Sequence, residues 1–474
     1  MRTTLQKLFG IDPRSLAAFR IGLALVMLAE LASRARTLGA HYTRDGVMPA
    51  DVLREMTNVP LLSLHLLGDS WGFQAGLFLL SGLFGLMMLV GWHTRWATVL
   101  CLALTYSLHV RNPLTVQHSD LMLYAMLLWA AFLPLGGFAS IDVRRARTRQ
   151  STRVVFRVAS VALVLQGVFV YLVAAVSKTQ YASWQEGRAL FTVLNKTGVA
   201  RALGEHLLDF PDLLQVLTYA VLATELAIAP LALSPWYTAR LRGLAILLAI
   251  ALQAGIFVLL DLGLFQPIAC VLVIPWLPAQ FWERFTRFRL PRARAAERPG
   301  VRRWIGEAGA GALLTLVVLY NVLALFPSYP RPPAAIHAAG IALRLDQSWR
   351  MFSNTDGSPQ GWFIVAGRTA DRRVFDILTG RPEVSSAPPS RAAWSQAVPN
   401  SAWMVYWRQI RAPRFAALKP HLADYFCRRW NGSAEPRSKI VQIEIVYMAK
   451  QHYDPALPPR LEPRTLIRKA CPAG

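Results

Sequence analysis

The sequence predicts a polytopic α-helical membrane protein of about nine transmembrane helices, followed by a C-terminal extracytoplasmic α+β domain rich in β-strand. Three observations lead there. Hydrophobic residues make up 54% of the chain and charged residues only 16%, outside the range of soluble globular proteins in both directions. The apolar residues gather in runs near the roughly 20 residues that cross a bilayer. The arginines cluster in the short connections between these runs, and the last third of the chain has no such run.

The candidate spans are residues 15–34, 72–91, 96–111, 119–138, 155–177, 214–234, 240–260, 264–281 and 306–327, the third and eighth being the weakest. The first carries Arg20 and Glu30 and lacks a small-residue cleavage site after it, so it reads as a retained span rather than a signal peptide. Tight connections such as GWHTR (Gly91 to Arg95) and SPWYTARLR (Ser234 to Arg242) imply antiparallel neighbours.

A net charge of +24, from 51 Lys and Arg against 27 Asp and Glu, would suit nucleic acid. The excess instead falls in juxtamembrane loops: Arg144, Arg145, Arg147, Arg149, Arg153 and Arg157 after the fourth run, and Arg284, Arg287, Arg289, Arg292, Arg294, Arg298, Arg302 and Arg303 after the eighth. Loops of this kind face the cytoplasm. The N-terminus is then cytoplasmic, and the loops after runs one, three, five and seven, with everything after run nine, face outward. Anionic lipid headgroups are the partners expected for these arginines, and no nucleic-acid motif is present. The expected location is thus integral to a membrane, with the C-terminal domain on the extracytoplasmic side.

Composition divides the chain into a helical bundle, residues 1–328, and an outer domain, residues 329–474. In the latter, GWFIVAG, RRVFDIL, SAWMVYW and KIVQIEIVYM read as strands from their β-branched and aromatic content. RFAALKPHLADYFCRRW places Phe415, Leu418, Leu422 and Phe426 on one helical face, with a kink expected at Pro420. Cys427 and Cys471 share this oxidising compartment and either form a disulfide or remain two separate thiols, since spacing does not fix geometry. No CxxC pair occurs and no metal site is expected.

Two titratable groups fall at the outer level. Lys178 closes the fifth run, in YLVAAVSKTQYASWQEG; it is either a snorkelling lysine or a functional amine. The following TQYASWQEGRALFTVL is amphipathic enough to lie over the span ends as a lid. A lysine beneath it loses water, which favours the neutral amine, a general base. His118, in HVRNPLTVQHSDLMLYAM, precedes Ser119 and Asp120, which read as N-caps of the fourth span. A helix N-terminus disfavours a cationic imidazole, so His118 either relays a hydrogen bond in its neutral form or only caps and packs. Arg20 and Glu225 lie within spans, where isolated charges are costly; each should face the bundle interior and make a structural polar contact there, although depth also allows them to pair with one another. YTRDGVMP (Tyr42 to Pro49) reads as a turn cornered on Asp45-Gly46.

In order, FRIGLAL, YTRDGVMP, RNPLTVQHSDLMLYAMLLWAAFLPLGGFASID and AAVSKTQYASWQEG resemble the HTTM (horizontally transferred transmembrane domain) family, which includes the vitamin K-dependent gamma-glutamyl carboxylases, over about residues 10–290. The later LDQSWRMFSNTDG and GWFIVAGRTADRRVFDIL look like the tails of bacterial members. The resemblance implies that Lys178 deprotonates a reduced vitamin K-type quinone, menaquinol in a bacterial membrane. Oxygen then generates a base strong enough to remove a glutamate γ-proton before carbon dioxide adds. It implies that His118 orients the reactants, and that Trp184, Tyr181, Gln253, Arg111 and Asn112 are candidate binding residues. Three departures stand out. Gln253 occupies the position where the carboxylases have a histidine, Ser177 rather than a second lysine precedes Lys178, and the outer segment is much shorter.

Two functions follow from different classes. One is a quinol- and oxygen-dependent carboxylase, a lyase acting on glutamate in a secreted peptide or protein. The other is a non-catalytic membrane factor that binds lipid or a partner and serves maturation, export or immunity of a secreted peptide. A transporter is disfavoured by the lack of an inverted repeat.

Overall fold

The computed structural model describes residues 2–56, 62–145, 154–285, 301–328, 330–355, 360–451 and 460–472. Helices occupy every apolar run: α1 (Pro13–Ala35), α2 (Trp71–Val90), α3 (Thr94–Arg111), α4 (His118–Ala131), α5 (Val158–Lys178), α6 (Pro211–Ala232), α7 (Thr238–Leu259), α8 (Phe265–Val273) and α9 (Val301–Ala324). Six of them, α1, α2, α5, α6, α7 and most of α9, are long and apolar enough to cross a membrane unaided. The other three depart from the expected spans for local reasons. α3 has 18 residues but carries Arg95, His109 and Arg111. α4 stops at Ala131, ahead of Pro134 and a Leu135–Gly137 turn, instead of running to 138. α8 has only nine residues before it tightens at Pro275 into a 3₁₀ turn, Ile274–Trp276. In the two arginine-rich loops, Arg147, Arg149, Arg153, Arg287, Arg289, Arg292, Arg294 and Arg298 lie outside the described residues.

The helix ends follow the sequence. Asp12 caps α1 by accepting from the Arg14 amide, with Pro13 at the first helical position. Ser70 caps α2, which ends on Gly91 in the left-handed region at φ 70°. The bundle packs as sequential hairpins, α1 on α2, α2 on α3, α3 on α4, α6 on α7, while α5 runs against α4, α6 and α9.

Two buried cations tie it together. Arg34 near the end of α1 donates to Glu30 (2.7 Å), Asp120 (2.7 Å), the Tyr42 hydroxyl (2.9 Å) and Thr115 Oγ1 (3.1 Å). Asp120 is therefore more than a cap. The N-cap of α4 is Gln117, whose amide donates to Asp120 Oδ2, and the other carboxylate oxygen holds Arg34. Arg20 donates to the carbonyls of Leu135, Phe138 and Ala139 in the turn after α4. Arg20 thus makes a structural polar contact from within the bundle and does not pair with Glu225, because backbone carbonyls at its own end of the bundle take both of its terminal NH groups.

The C-terminal domain is α+β. Its sheet has strands β1 (Gln360–Thr369), β2 (Val374–Asp376), β3 (Ile440–Gln451) and β4 (Arg460–Ala470), antiparallel throughout in the order β2-β1-β3-β4. Val365 lies opposite Ile445, and Ile445 opposite Ile467. Three helices, α10 (Arg391–Ala397), α11 (Ser401–Ile410) and α12 (Lys419–Ser433), accompany the sheet. The run SAWMVYW is helix α11 and not a strand: Asn400 caps it by accepting from the Trp403 amide, and Trp403, Tyr406, Trp407 and Ile410 recur at helical spacing on its buried face. Pro420 does not kink a helix, because α12 starts at Lys419 and Phe415 belongs to a preceding 3₁₀ segment, Pro413–Leu418. Cys427 of α12 is disulfide-bonded to Cys471, with Cα atoms 5.6 Å apart.

The domain is docked onto one end of the bundle. Its core of Trp403, Tyr406, Leu422, Phe426 and Ile443 is continuous with Val47, Met48 and Leu53 of the loop after α1 and with Leu114 between α3 and α4. Asn400 donates to Ser33 O (3.0 Å) and Thr37 Oγ1 (2.9 Å), and the Tyr406 hydroxyl to Val47 O (3.1 Å). The YTRDGVMP turn is a docking surface.

Candidate functional site

Lys178 sits on the last turn of α5 and is buried, 4% exposed. Its Nζ lies 2.5 Å from both carboxylate oxygens of Glu225 on α6. The Trp184 ring, from the short helix Ala182–Gln185 that follows, covers the ammonium at 4.9 Å from its centroid. Trp184 is held in turn, because its Nε1 donates to Phe352 O (2.9 Å) and the adjacent Ser183 Oγ accepts from Thr355 Oγ1 (2.7 Å). The segment after Lys178 does fold over the helix end, clamped from above by chain leading into the C-terminal domain.

The Lys178–Glu225 pair forms the polar end of a cavity of about 330 Å³ between α5, α6, α7 and α8, at the lower end of small-molecule sites, about 300–1,000 Å³. Val170, Val221, Leu252, Ile256 and Phe265 make its walls apolar. A second polar spot faces it: the Gln253 amide donates to the Tyr171 hydroxyl at 3.5 Å, while Gln253 Oε1 is buried with no hydrogen-bond partner. A buried acceptor without a donor is costly, so this oxygen suits a hydroxyl arriving from inside the cavity. The arrangement offers an apolar, ring-sized space with the Lys178–Glu225 pair at one end and an acceptor oxygen on its side.

Over residues 10–282 the chain matches the family model described as HTTM domain. The chain belongs to the HTTM domain family. No curated protein and no solved structure gives a match. HTTM domains are related to the membrane domain of vitamin K-dependent carboxylase. Within this HTTM chain, Lys178, Glu225, Trp184, Gln253 and Tyr171 all come from the matched region, whereas Met351 and Phe352, which complete the cavity wall, lie beyond it.

The structure distributes the other candidates differently. His118 does not line the Lys178 cavity; it faces a neighbouring chamber beside Trp349, ring centroids 6.5 Å apart. Tyr181 lies at the domain junction, its hydroxyl accepting from Arg350 (3.3 Å). Arg111 donates to Met48 O and Tyr42 O, and Asn112 to His41 O while accepting from the Leu114 amide. These two fasten the loop after α1 and border neither cavity. Glu225, expected only as a structural charge, is the direct partner of Lys178; Tyr171, whose hydroxyl is the cavity's other polar group, carried no sequence signal beyond its place in an apolar run.

Proposed function

We propose that this HTTM protein is an integral membrane enzyme that uses a reduced vitamin K-type quinone and oxygen to drive carboxylation of glutamate in a secreted peptide or protein, with Lys178 and Glu225 as its proton-accepting pair. The observation that carries this reading is the buried Lys178–Glu225 contact at the polar end of an apolar cavity. The residues present fit such a co-substrate: apolar walls for a ring system and its tail, and the lone Gln253 Oε1 for a ring hydroxyl. When bound, the quinol supplies, with oxygen, the strong base that removes the glutamate γ-proton.

The protein's part is proton handling. With Nζ against the carboxylate, one proton shift interconverts the ion pair and a neutral amine–carboxylic acid pair. In the neutral form Nζ has a lone pair and takes the phenolic proton, the proton it gave up resting on Glu225, and the Trp184 face stabilises the resulting ammonium. Trp184 also keeps bulk water from the amine.

Vesicles containing the full-length protein, a vitamin K-type hydroquinone, oxygen and labelled bicarbonate test the proposal. Epoxide formation that drops by about 10²-fold or more in Lys178→Met, the usual scale for loss of general acid–base catalysis, supports it. No epoxide, or epoxide undiminished in the variant, refutes it. One observation favours a second reading, a lipid- or partner-binding factor: Lys178 is fully engaged by Glu225 and Trp184, as a purely structural strut would be. That reading predicts lost folding stability in Lys178→Met with no oxygen-dependent chemistry to lose.

A further inference from the structure

Beside the Lys178 cavity lies a larger chamber of about 540 Å³ between the helix ends and the C-terminal domain. The two share the wall residues Leu262, Phe265, Met351 and Phe352. The chamber has the opposite chemistry. Lys196, Arg350, Arg408 and Arg411 line it together with His118, and no aspartate or glutamate among the described residues does so.

Arg350 comes from the segment leading into the C-terminal domain, while Arg408 and Arg411 come from the last turn of α11 and its C-cap, and none of the three is neutralised by a described carboxylate. Arg350 donates only to uncharged groups, Phe326 O, Gln180 Oε1 and the Tyr181 hydroxyl. Arg411 lies over the Tyr447 ring at 4.5 Å and donates to Arg408 O. None of Arg350, Arg408 and Arg411 forms a salt bridge to a described carboxylate. Arg408 and His118 both keep exposed side-chain surface and line the chamber. Burial, with the Arg411 charge beside it, lowers the Arg408 pKa, the mark of a guanidinium that lacks its counter-charge. Independently, Gln360 at the start of β1 is 5% exposed and lines the same chamber, with neither amide atom hydrogen-bonded among the described residues.

We propose that this chamber binds a phosphate group, held by Arg350, Arg408 and Arg411 with the Gln360 amide, and that the phosphate is the headgroup of an anionic amphiphile whose hydrocarbon part passes over the shared wall. Planar guanidiniums match phosphate oxygens in pairs, and several of them around one space suit a multiply acceptor-bearing anion. The apolar continuation across Met351 and Phe352 selects an amphiphile over a soluble ester. The inference stands apart from the proton-transfer proposal, since it needs neither quinol nor Glu225.

The test uses the full-length protein in neutral detergent with a phosphatidic acid bearing a photoreactive diazirine in one acyl chain, and with inorganic phosphate as competitor. Cross-links mapped by mass spectrometry should fall on the Leu262, Phe265, Met351 and Phe352 wall. They should drop about tenfold or more in Arg408→Gln/Arg411→Gln, the scale of lost charge-assisted hydrogen bonds, and drop by a smaller factor in Arg408→Lys/Arg411→Lys, which keeps the charge but not the paired geometry. Cross-links at the arginine-rich loops of the other end should not change, which separates loss of the site from loss of folding. If no lipid cross-link maps to the wall, yet inorganic phosphate raises thermal stability in wild type and not in the Gln variant, the anion site stands and the amphiphile is replaced by free phosphate. Cross-linking at the wall that is equal for phosphatidic acid and phosphatidylcholine, or unchanged in the Gln variant, overturns the proposal, as does the absence of any phosphate effect in either arm.

Discussion

Replacing Lys178 with Met removes one half of a pair buried at 4% and 6% exposure. At 2.5 Å and an effective dielectric of about 20, the attraction is about 7 kcal/mol. Desolvation of both ions offsets much of it, so the net cost of breaking the pair from one side is about 3–5 kcal/mol, mostly the charge left behind on Glu225. Glu225→Leu should cost a similar amount for the mirror reason. The double variant Lys178→Met/Glu225→Leu strands no charge and should be more stable than the sum of the singles predicts, by about 2–3 kcal/mol of coupling. Equilibrium unfolding of the four proteins in bicelles measures this cycle. Effects that add within about 0.5 kcal/mol would refute the reasoning, because they would mean that the two side chains do not share one buried interaction. The cycle also separates stability from chemistry: the double variant should fold well and still lack any proton acceptor at the cavity end.

Two other predictions concern the end of the bundle that carries the C-terminal domain. His41 and His65, in the loop between α1 and α2, have pKa values lowered from 6.5 to about 3 and about 4, in both cases chiefly by burial, with Arg34 and Arg111 respectively adding to the shift and the Gln74 hydrogen bond opposing it at His65. Both are neutral when folded and take a proton on unfolding below pH 6.5, so their contribution is complete above that pH and is lost as the pH falls toward 4. Together they should cost about 5 kcal/mol between pH 6.5 and 4.5; a thermal-shift pH profile that is not flattened by His41→Gln/His65→Gln would contradict this. Reducing Cys427–Cys471, 44 residues apart, should destabilise the C-terminal domain by about 4 kcal/mol on chain-entropy grounds. Protease nicking within residues 360–472 should then appear in dithiothreitol while the bundle remains intact, and an unchanged digest would argue that packing alone holds α12 to the sheet.

Much of this architecture is legible because bilayer-scale hydropathy is a strong signal. The position of Lys178 at the end of its span is legible in the change from apolar run to polar, aromatic segment, and β1 and β3 in their β-branched content. What could not be read depends on relative placement. Glu225 lies 14 residues after Pro211, the start of α6, about 21 Å along the axis; a depth scale that starts every helix in one plane therefore separates it from a lysine at the end of α5. Only the offset between α5 and α6 brings them together. The inward-facing structural role of Arg20 is legible in the sequence, but its partners are not: they are carbonyls of a turn, invisible to any search for opposite charge. In α11 the helical spacing of Trp403, Tyr406, Trp407 and Ile410 was present but masked by aromatic residues that also favour strands. β4 was missed because RLEPRTLIRKA is charged, contains Pro463 and forms a sheet edge, where such residues are tolerated.

The indole of Trp184 has one face on the Lys178 ammonium and its N–H on the Phe352 carbonyl. A single rigid side chain thereby makes the seating of the C-terminal domain and the wetness of the amine into one variable. Shortening the chain before Phe352 would unlatch this roof and admit water to Lys178 even with every bundle residue in place. A displacement of the domain would therefore be felt at the amine as a change in its hydration, with the indole as the hinge between them.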